Sequence, residues 1–214
     1  RLSISANAAQ NEPVFTLEPF DLDGTAYSAK AVISHPFVLT LPLQFRAQLG
    51  VRFTDEEMKA DDDRLYKDRL RVALASVDAL FNDCWQGHSR VEVTFSQGFN
   101  VLGASKIDAD ELSRRRGESD FTKLNGALSY SRPLFNNFSL MVGGHGQYSF
   151  STLLVSELMG VGGRYWGRAY DWSEIMGDSG VVGTVELRYD TKPGAPELKN
   201  TQYFLAYDAG EAWV

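Results

Sequence analysis

The chain has 214 residues, of which 43% are hydrophobic and 23% are charged, and this composition is that of a folded protein, not a disordered one. Its formal net charge of −7 disfavours a nucleic-acid-binding domain, because such domains carry a surplus of basic residues. The chain has 1 cysteine and 3 histidines that are far apart in sequence, so it has no internal disulfide and no metal-ligand spacing. We therefore expect no metal, cofactor or nucleic-acid partner.

Apolar and polar residues alternate along most of the chain, and this period of two predicts β-strands with one apolar face. In the clearest case, every second residue from Leu39 to Phe53 is apolar. This run exceeds the about 5–6 residues of an ordinary strand and meets the about 9–11 that a tilted strand needs to cross a bilayer. The pattern predicts nine strands, at about 1–7, 23–33, 38–53, 68–81, 89–99, 120–132, 138–150, 180–190 and 201–214.

The predicted connections differ in length. Short turns are expected at Pro36, at 136–137 and at 192–194, whereas longer polar loops are expected at about 54–67, 100–119 and 153–178. The polar segment 55–66 is also compatible with a helical turn. Short turns on one rim and long loops on the other are typical of outer-membrane barrels. A soluble β-sandwich is the alternative, because its strands also alternate, but the length of the strands favours the membrane barrel.

The most unusual segment is the loop at 153–178, which combines glycines, arginines and aromatic residues. Loops of this length without regular structure tend to be functional. The glycines permit backbone paths that other residues avoid. The two arginines of this loop, Arg164 and Arg168, offer planar guanidinium groups that can bind carboxylates. The loop is therefore the first candidate for a functional site.

This loop resembles the sixth loop of the Omp85 superfamily, and specifically that of the TpsB transporters of two-partner secretion, the haemolysin/haemagglutinin secretion-activation proteins. The resemblance rests on three groups of residues, which are Gly162-Gly163, Gly167-Arg168-Ala169-Tyr170 and Gly177-Asp178-Ser179-Gly180. Shorter similarities extend it through most of residues 67–214. The chain departs from the family at the loop tip, where Gly167 replaces a valine and Ala169 replaces a glycine. An alanine at 169 would be strained if the turn needs a positive φ there.

The resemblance implies an all-β fold, an antiparallel transmembrane β-barrel whose long loop folds inward. Residues 1–214 would then form one partial barrel domain with about nine strands of a 16-stranded barrel, and the remaining strands, the POTRA domains and a plug helix would lie outside this chain. In the family, the loop arginine meets an acidic residue of the inner wall. Here we expect Arg168 to meet Asp208, with Glu186 as the second choice, because both lie on the polar faces of the strands that follow the loop.

The alternation also predicts which charged side chains line the lumen. The residues on the polar faces of the predicted strands are Arg46, Arg52, Arg69, Arg71, Glu92, Lys123 and Arg188.

The function that the resemblance implies is translocation of a large TpsA-like partner exoprotein across the bacterial outer membrane. Two alternatives stay open, an Omp85-type factor that assembles outer-membrane proteins, and a scaffold or receptor within an outer-membrane complex with further subunits. Outer-membrane lipid and lipopolysaccharide are further expected partners. The run 114–116 of three arginines is compatible with contacts to lipopolysaccharide phosphates, although an ordinary solvated run is the simpler interpretation. The chain lacks a Gly-x-Ser-x-Gly nucleophile elbow, and no other pattern indicates an enzyme.

Overall fold

The computed structural model describes residues 1–11, 22–61, 63–107, 109, 111–191 and 201–214. Its main element is an antiparallel sheet of nine strands, which confirms the predicted number. These strands are β1 (Leu2–Asn11), β2 (Leu22–Leu39), β3 (Leu43–Ala60), β4 (Asp63–Asn82), β5 (His88–Gly98), β6 (Thr122–Pro133), β7 (Phe138–Ser149), β10 (Ser179–Thr191) and β11 (Thr201–Trp213). Two short strands, β8 (Met159–Val161) and β9 (Ile175–Gly177), pair with each other between β7 and β10.

Residues 153–178, which we call the inner loop, pack against one face of the sheet. We call this the inner face and the opposite side the outer face. Because facing residues of paired strands put their side chains on the same side, the strand registers assign each paired strand residue to one of the two faces. The outer face carries apolar side chains that are open to the surroundings, among them Leu49, Val51, Leu128 and Val185. An apolar outer face is what strands in contact with lipid require.

The predicted loop at 54–67 is instead the end of a long hairpin, because β3 continues to Ala60 and β4 begins at Asp63. Charge pairs between the two strands allow this polar sequence to remain extended. Glu57 on β3 accepts hydrogen bonds from Lys67 at 2.5 Å and from Arg64 at 3.0 Å on β4. Both bonds lower the pKa of Glu57, to about 2, and the bond from Lys67 has the larger effect. The predicted loop and the helical turn proposed within it were therefore wrong.

Pro36 does not mark a turn either. It lies within β2, where the register with β3 shifts between Pro36 and Val38. A register shift tolerates proline because the local ladder is already interrupted and no N–H is required there. The turn between β2 and β3 instead falls at 40–42. The turn predicted at 136–137 is present, and Asn136 adopts a positive φ of 51° in it. The turn predicted at 192–194 lies outside the described residues.

Two apolar clusters lie between the inner face and the loops that cover it. The first joins β4 to the inner loop and contains Leu70, Val72, Phe121, Leu153 and Leu154. The second joins the inner loop to β10 and contains Met159, Val161 and Val182, with Trp166 and Ala212 packed against it. The buried core of the described residues therefore lies on the inner side of the sheet, and it fixes the start and the middle of the inner loop. No helix in the described part of the chain is long and apolar enough to cross a membrane.

Candidate functional site

The tip of the inner loop reverses direction at its glycines. Gly162, Gly163 and Gly167 adopt positive φ angles of 119°, 105° and 75°. Backbone hydrogen bonds close the turn, from Gly162 N to the carbonyl of Trp166 at 3.0 Å and from Tyr170 N to the carbonyl of Gly167 at 3.0 Å. Glycine is the residue that adopts these angles at little cost. The local sequence therefore folds back on itself before it reaches Arg168.

Ala169 does not adopt the positive φ that its position in the resemblance suggested. The left-handed residue of the tip is Gly167, two positions earlier, and Ala169 is absent from the residues with positive φ. The strain expected at Ala169 is therefore not present. Tyr170, the last residue of the tip, has an exposed side chain and donates and accepts backbone hydrogen bonds within the turn.

Arg168 extends from the tip to the inner wall, where it forms hydrogen bonds with three side chains. Its Nε and Nη2 atoms donate to the two carboxylate oxygens of Asp208 at 3.0 and 2.8 Å. Its Nη1 atom donates to Glu186 Oε1 at 2.5 Å, and Nη2 also donates to the hydroxyl of Thr184 at 2.7 Å. The backbone N–H of Arg168 donates to Asp208 as well, at 3.0 Å. The guanidinium therefore binds both acidic residues that the sequence offered as its partners.

The sheet brings these wall residues together by register. Thr184 on β10 faces Asp208 on β11, and Glu186 lies two residues further along the same face. The second oxygen of Glu186 accepts a hydrogen bond from Arg188 Nε at 2.7 Å. The Glu186 and Asp208 side chains are 8% and 13% exposed, against 28% for Arg168. Carboxylates with so little access to water depend on a cation with several donors, which is what the guanidinium supplies.

A glycine of the wall allows the tip to lie close to the sheet. A Cβ atom on Gly143 of β7 would lie 3.1 Å from the Cη2 atom of Trp166. That separation is tighter than ordinary van der Waals contact, so a larger residue would push the indole away from the wall. Trp166 packs against the second apolar cluster, two residues before Arg168. The close contact between Trp166 and Gly143 therefore helps to place the Arg168 guanidinium on the wall.

A second charged group holds the start of the inner loop, and the sequence arguments did not identify it. Glu157 ends a short 3-10 helix, Val155–Glu157, and its side chain is only 4% exposed. One of its carboxylate oxygens binds Arg52 of β3, and the other binds Lys123 of β6 at 2.8 Å. Lys123 also donates to the backbone carbonyl of Glu157 at 2.8 Å. The side chain and the main chain of Glu157 are therefore both held by the wall.

A buried amide and a buried carboxylate extend this network. Gln147 of β7 donates to the backbone carbonyls of Glu157 and Asp178 at 2.9 and 3.0 Å. The Asp178 carboxylate binds the Arg114 guanidinium, with Nη2 and Oδ2 3.1 Å apart, and accepts from Leu153 N at 2.9 Å. Arg114 is therefore bound in the interior, so the interpretation of 114–116 as a solvated run was wrong for this residue. The reason is that a carboxylate buried nearby binds it more favourably than water does. Arg115 and Arg116 are exposed, and contact of the run with lipopolysaccharide stays a prediction.

Gly177, just before Asp178, lies directly against β11. A Cβ atom at this position would lie 2.6 Å from the backbone N and O atoms of Trp213. Only a glycine fits this approach, and it lets the end of the inner loop join β10.

Five of the seven side chains predicted to line the lumen lie on the inner face, and two do not. The strand registers place Arg46, Arg52, Glu92, Lys123 and Arg188 on the inner face. Arg69 and Arg71 lie on the outer face, because Leu70 and Val72 between them point inward and are buried against the inner loop. The prediction for these two arginines was therefore wrong.

The environment of Arg71 explains this reversal. Its guanidinium lies over the Phe53 ring at 5.4 Å from the centroid and binds Asp55 at 2.6 Å. Asp55 faces Arg69 in the register, so the outer face at this level carries paired charges. Apolar and polar residues still alternate along β4. Its apolar residues point inward, however, because they pack against the inner loop. The rule that the apolar side of a strand faces outward fails at this level.

Among the described residues, no group of three or more His, Cys, Asp or Glu side chains could hold a metal ion. The side chains that converge on the inner loop instead form ion pairs and hydrogen bonds with one another. The arrangement can dock a loop inside the sheet through charge. Of the residues that sequence reasoning missed, Thr184 follows from strand parity, whereas no sequence signal indicated the pairing of Arg114 with Asp178.

Comparison with known proteins identifies relatives for almost all of the chain. Residues 20–214 match the model of the family described as haemolysin secretion/activation protein ShlB/FhaC/HecB. The chain is 29% identical over 129 residues to the outer membrane transporter CdiB of Dickeya dadantii (strain 3937), a match that covers 60% of this chain and 23% of that protein. It is 21% identical over 214 residues to the heme/hemopexin transporter protein HuxB of Haemophilus influenzae, covering 99% of this chain and 38% of that protein.

Solved structures show the same fold. CdiB from Escherichia coli superimposes with a TM-score of 0.77 at 17% identity, over 98% of this chain and 38% of that one. CdiB from Acinetobacter baumannii superimposes with a TM-score of 0.75 at 18% identity, over 99% of this chain and 37% of that one. The chain thus spans less than two fifths of the length of each of these proteins. At this level of identity the structures establish the fold, a part of an antiparallel transmembrane β-barrel.

Proposed function

Because the chain belongs to the ShlB/FhaC/HecB family of haemolysin secretion/activation proteins, which are located in the bacterial outer membrane, we propose that it belongs to a transporter that moves a large partner exoprotein across that membrane. The observation that carries the proposal is the docking of the inner loop. Arg168 at its tip binds Asp208 and Glu186 on the inner wall, so the loop occupies the space through which a cargo would pass.

The two faces of the sheet support this function. The apolar outer face suits contact with outer-membrane lipid, including lipopolysaccharide, whereas the inner face offers charged and hydroxyl groups to a hydrated interior. An unfolded segment of the exoprotein moves along this polar wall and exchanges hydrogen bonds with it. Folding of the cargo outside the cell supplies the driving force. The chain's own contribution is a polar path and a loop that can clear it.

The contact of Arg168 with Asp208 and Glu186 determines the free energy that is needed to clear the path. When Arg168 leaves the wall, its guanidinium regains water, but Asp208 loses a partner that binds both of its oxygens. Glu186 keeps Arg188 and is therefore less affected. A cargo segment that offers its own donors to Asp208 lowers this cost. The geometry thus favours a loop that is docked at rest and displaced by cargo.

The test is made in the organism that carries the gene. The full-length gene is deleted and complemented with the unaltered gene or with the Arg168→Ala variant, and culture supernatant and outer membrane are analysed by mass spectrometry. We expect the deletion to remove one large secreted or surface protein while other outer-membrane barrels keep their abundance. Complementation with the unaltered gene restores that protein, whereas the Arg168→Ala variant restores less of it.

Two other outcomes would contradict the proposal. Depletion of many outer-membrane barrels would indicate a factor that assembles them. No change in either fraction would indicate a scaffold or receptor within an outer-membrane complex.

A further inference from the structure

Ion pairs bind the inner loop to the wall at two places, and the charge that the loop supplies has the opposite sign at the two places. At the tip, the loop supplies the cation, Arg168, and the wall supplies the carboxylates of Glu186 and Asp208. At the root, which we define as residues 155–161, the loop supplies the carboxylate of Glu157 and the wall supplies Arg52 and Lys123. The two contacts therefore do not share a charged side chain, and either can be altered alone.

Glu157 connects strands that are not neighbours. Arg52 lies on β3 and Lys123 on β6, with β4 and β5 between them in the sheet. Each carboxylate oxygen of Glu157 binds one of the two cations. Main-chain contacts add to this, because Gln147 and Lys123 both donate to the Glu157 carbonyl. One residue thus fixes the position and the orientation of the loop root across the inner face.

The side chain that the loop supplies is more buried at the root than at the tip, because Glu157 is 4% exposed and Arg168 is 28% exposed. The wall partners are Arg52 and Lys123 at the root, 29% and 9% exposed, and Glu186 and Asp208 at the tip, 8% and 13% exposed. Separation of a buried ion pair leaves both partners poorly solvated, while a partly exposed arginine regains water as it leaves. Because Lys123 and Gln147 also hold the Glu157 carbonyl, we expect the root contact to cost more to open than the tip contact.

The chain between the two contacts can act as a hinge. Gly162 and Gly163 follow the root directly and both adopt positive φ angles. Before them, Met159 and Val161 are buried in the second apolar cluster with Val182. The buried run of the root therefore ends at Val161, and the glycines that follow can take up a change in direction. Beyond them Trp166 packs against the same cluster, so release of the tip also withdraws this ring.

We propose that Glu157 is a positioning residue that keeps the root docked while the tip segment, residues 162–174, is released. The inner loop then opens as a flap hinged at Gly162 and Gly163 and does not leave the interior as one piece. The inference rests on the proposed transport function for its purpose, but its test needs no cargo. Its failure is therefore distinguishable from a failure of the transport proposal.

The test measures distances in the full-length protein, reconstituted in lipid vesicles, by pulsed electron paramagnetic resonance between two nitroxide labels. Cys84 is exposed and is first replaced by serine. One label is placed at Phe135 in the turn between β6 and β7, and the second at Val155 for the root or at Tyr165 for the tip. All three side chains are open to labelling, with exposures of 66%, 38% and 66%.

The expected result is a one-way dependence. Arg168→Gln at least doubles the width of the tip distance distribution and leaves the root distribution unchanged. Glu157→Gln at least doubles both widths, and Glu157→Asp, which keeps the charge, returns the root width at least halfway to its original value. The matched control is Glu174→Gln, because Glu174 lies on the same loop and its carboxylate accepts from the backbone N–H of Asp171. This control leaves both widths unchanged.

Two results would overturn the proposal. One is an unchanged root width in Glu157→Gln, and the other is a root that widens as much as the tip in Arg168→Gln. Folding is checked by heat-modifiable mobility on gels. If Glu157→Gln does not insert, Arg52→Gln weakens the same contact from the wall and is expected to widen the root. An unchanged root width in that variant would also overturn the proposal.

Discussion

Replacement of Arg168 by alanine tests the docking of the inner loop directly. The guanidinium makes four side-chain hydrogen bonds with the wall, two of them to Asp208. Removing one partner of a buried ion pair costs about 3–5 kcal/mol. The lower end applies here, because Arg168 is 28% exposed and Glu186 keeps Arg188 as a second partner. We therefore expect the docked state to lose about 3 kcal/mol, which corresponds to roughly a 100-fold change in the docking equilibrium.

Hydrogen exchange followed by mass spectrometry measures this loss in the full-length protein. Peptides that cover residues 162–172 should lose protection by about 100-fold in Arg168→Ala, since exchange there reports the undocked state. Arg164→Ala is the matched control. Arg164 lies in the same turn, with its guanidinium over the Tyr165 ring at 6.0 Å, and no ion pair is found for it among the described residues. It should lose less than about sixfold, because an exposed cation–π contact contributes only about 0.5–1 kcal/mol.

A double-mutant cycle separates the ion pair from a general loss of packing. Asp208→Asn alone should reduce protection, and its combination with Arg168→Ala should cost much less than the sum of the two, because both remove the same contact. Equal losses in Arg168→Ala and Arg164→Ala, or strict additivity with Asp208→Asn, would refute the reasoning.

Three further predictions concern the turn, the interior and the hairpin. Gly167→Ala should destabilise the docked tip by about 1–2 kcal/mol because a side chain is strained at φ 75°, whereas Ala169→Gly should change it by less than about 1 kcal/mol; hydrogen exchange of the tip compares the two. Arg114→Ala should lower the free energy of unfolding of the full-length protein by about 2–3 kcal/mol, since it removes the ion-pair partner of the buried Asp178 carboxylate. In the same melting experiment, Arg115→Ala should have no measurable effect, because Arg115 is exposed. Folding lowers the pKa of Glu57 from 4.5 to about 2, so the stabilising effect of the ionised carboxylate should be complete above pH 4.5 and disappear as the pH drops through about 2. Hydrogen exchange of the amides at the hairpin end, measured at each pH, should show this loss, and Glu57→Gln should remove the pH dependence.

The architecture was predictable because a sheet between lipid and water leaves a strong mark on the sequence. Side chains from Leu43 to Phe53 of β3 must satisfy an apolar surface on one side and a polar interior on the other, so their alternation reports both the strand and its faces. The alternation before Leu43 belongs to the end of β2 and the turn at 40–42, so the strand predicted at 38–53 began too early. The same alternation placed Glu186 and Asp208 on the inner wall. Periodicity thus gives the direction of a side chain wherever the two sides of a strand differ in polarity.

The errors arose where that difference in polarity disappears. Above the apolar band, β4 is buried on its inner side by Leu153 and Leu154, so its apolar residues point inward and Arg71 points outward. The β3–β4 hairpin is polar on both sides, so its sequence is similar to that of a loop although cross-strand ion pairs keep it extended. Neither case can be resolved from one strand alone, because the environment is supplied by residues distant in sequence. The pairing of Arg114 with Asp178 belongs to the same class of contact.

The altered tip shows which part of the loop the chemistry constrains. The wall presents the Asp208 carboxylate at a fixed place, and the tip must bring both the backbone N–H and the guanidinium of residue 168 to it, as the bonds of 2.8–3.0 Å require. The chain achieves this if it reverses direction just before residue 168, and Gly167 provides that reversal with its positive φ. A glycine after the arginine is then unnecessary, and Ala169 is tolerated. The contact between Arg168 and Asp208 thus forms with a glycine before the arginine and an alanine after it.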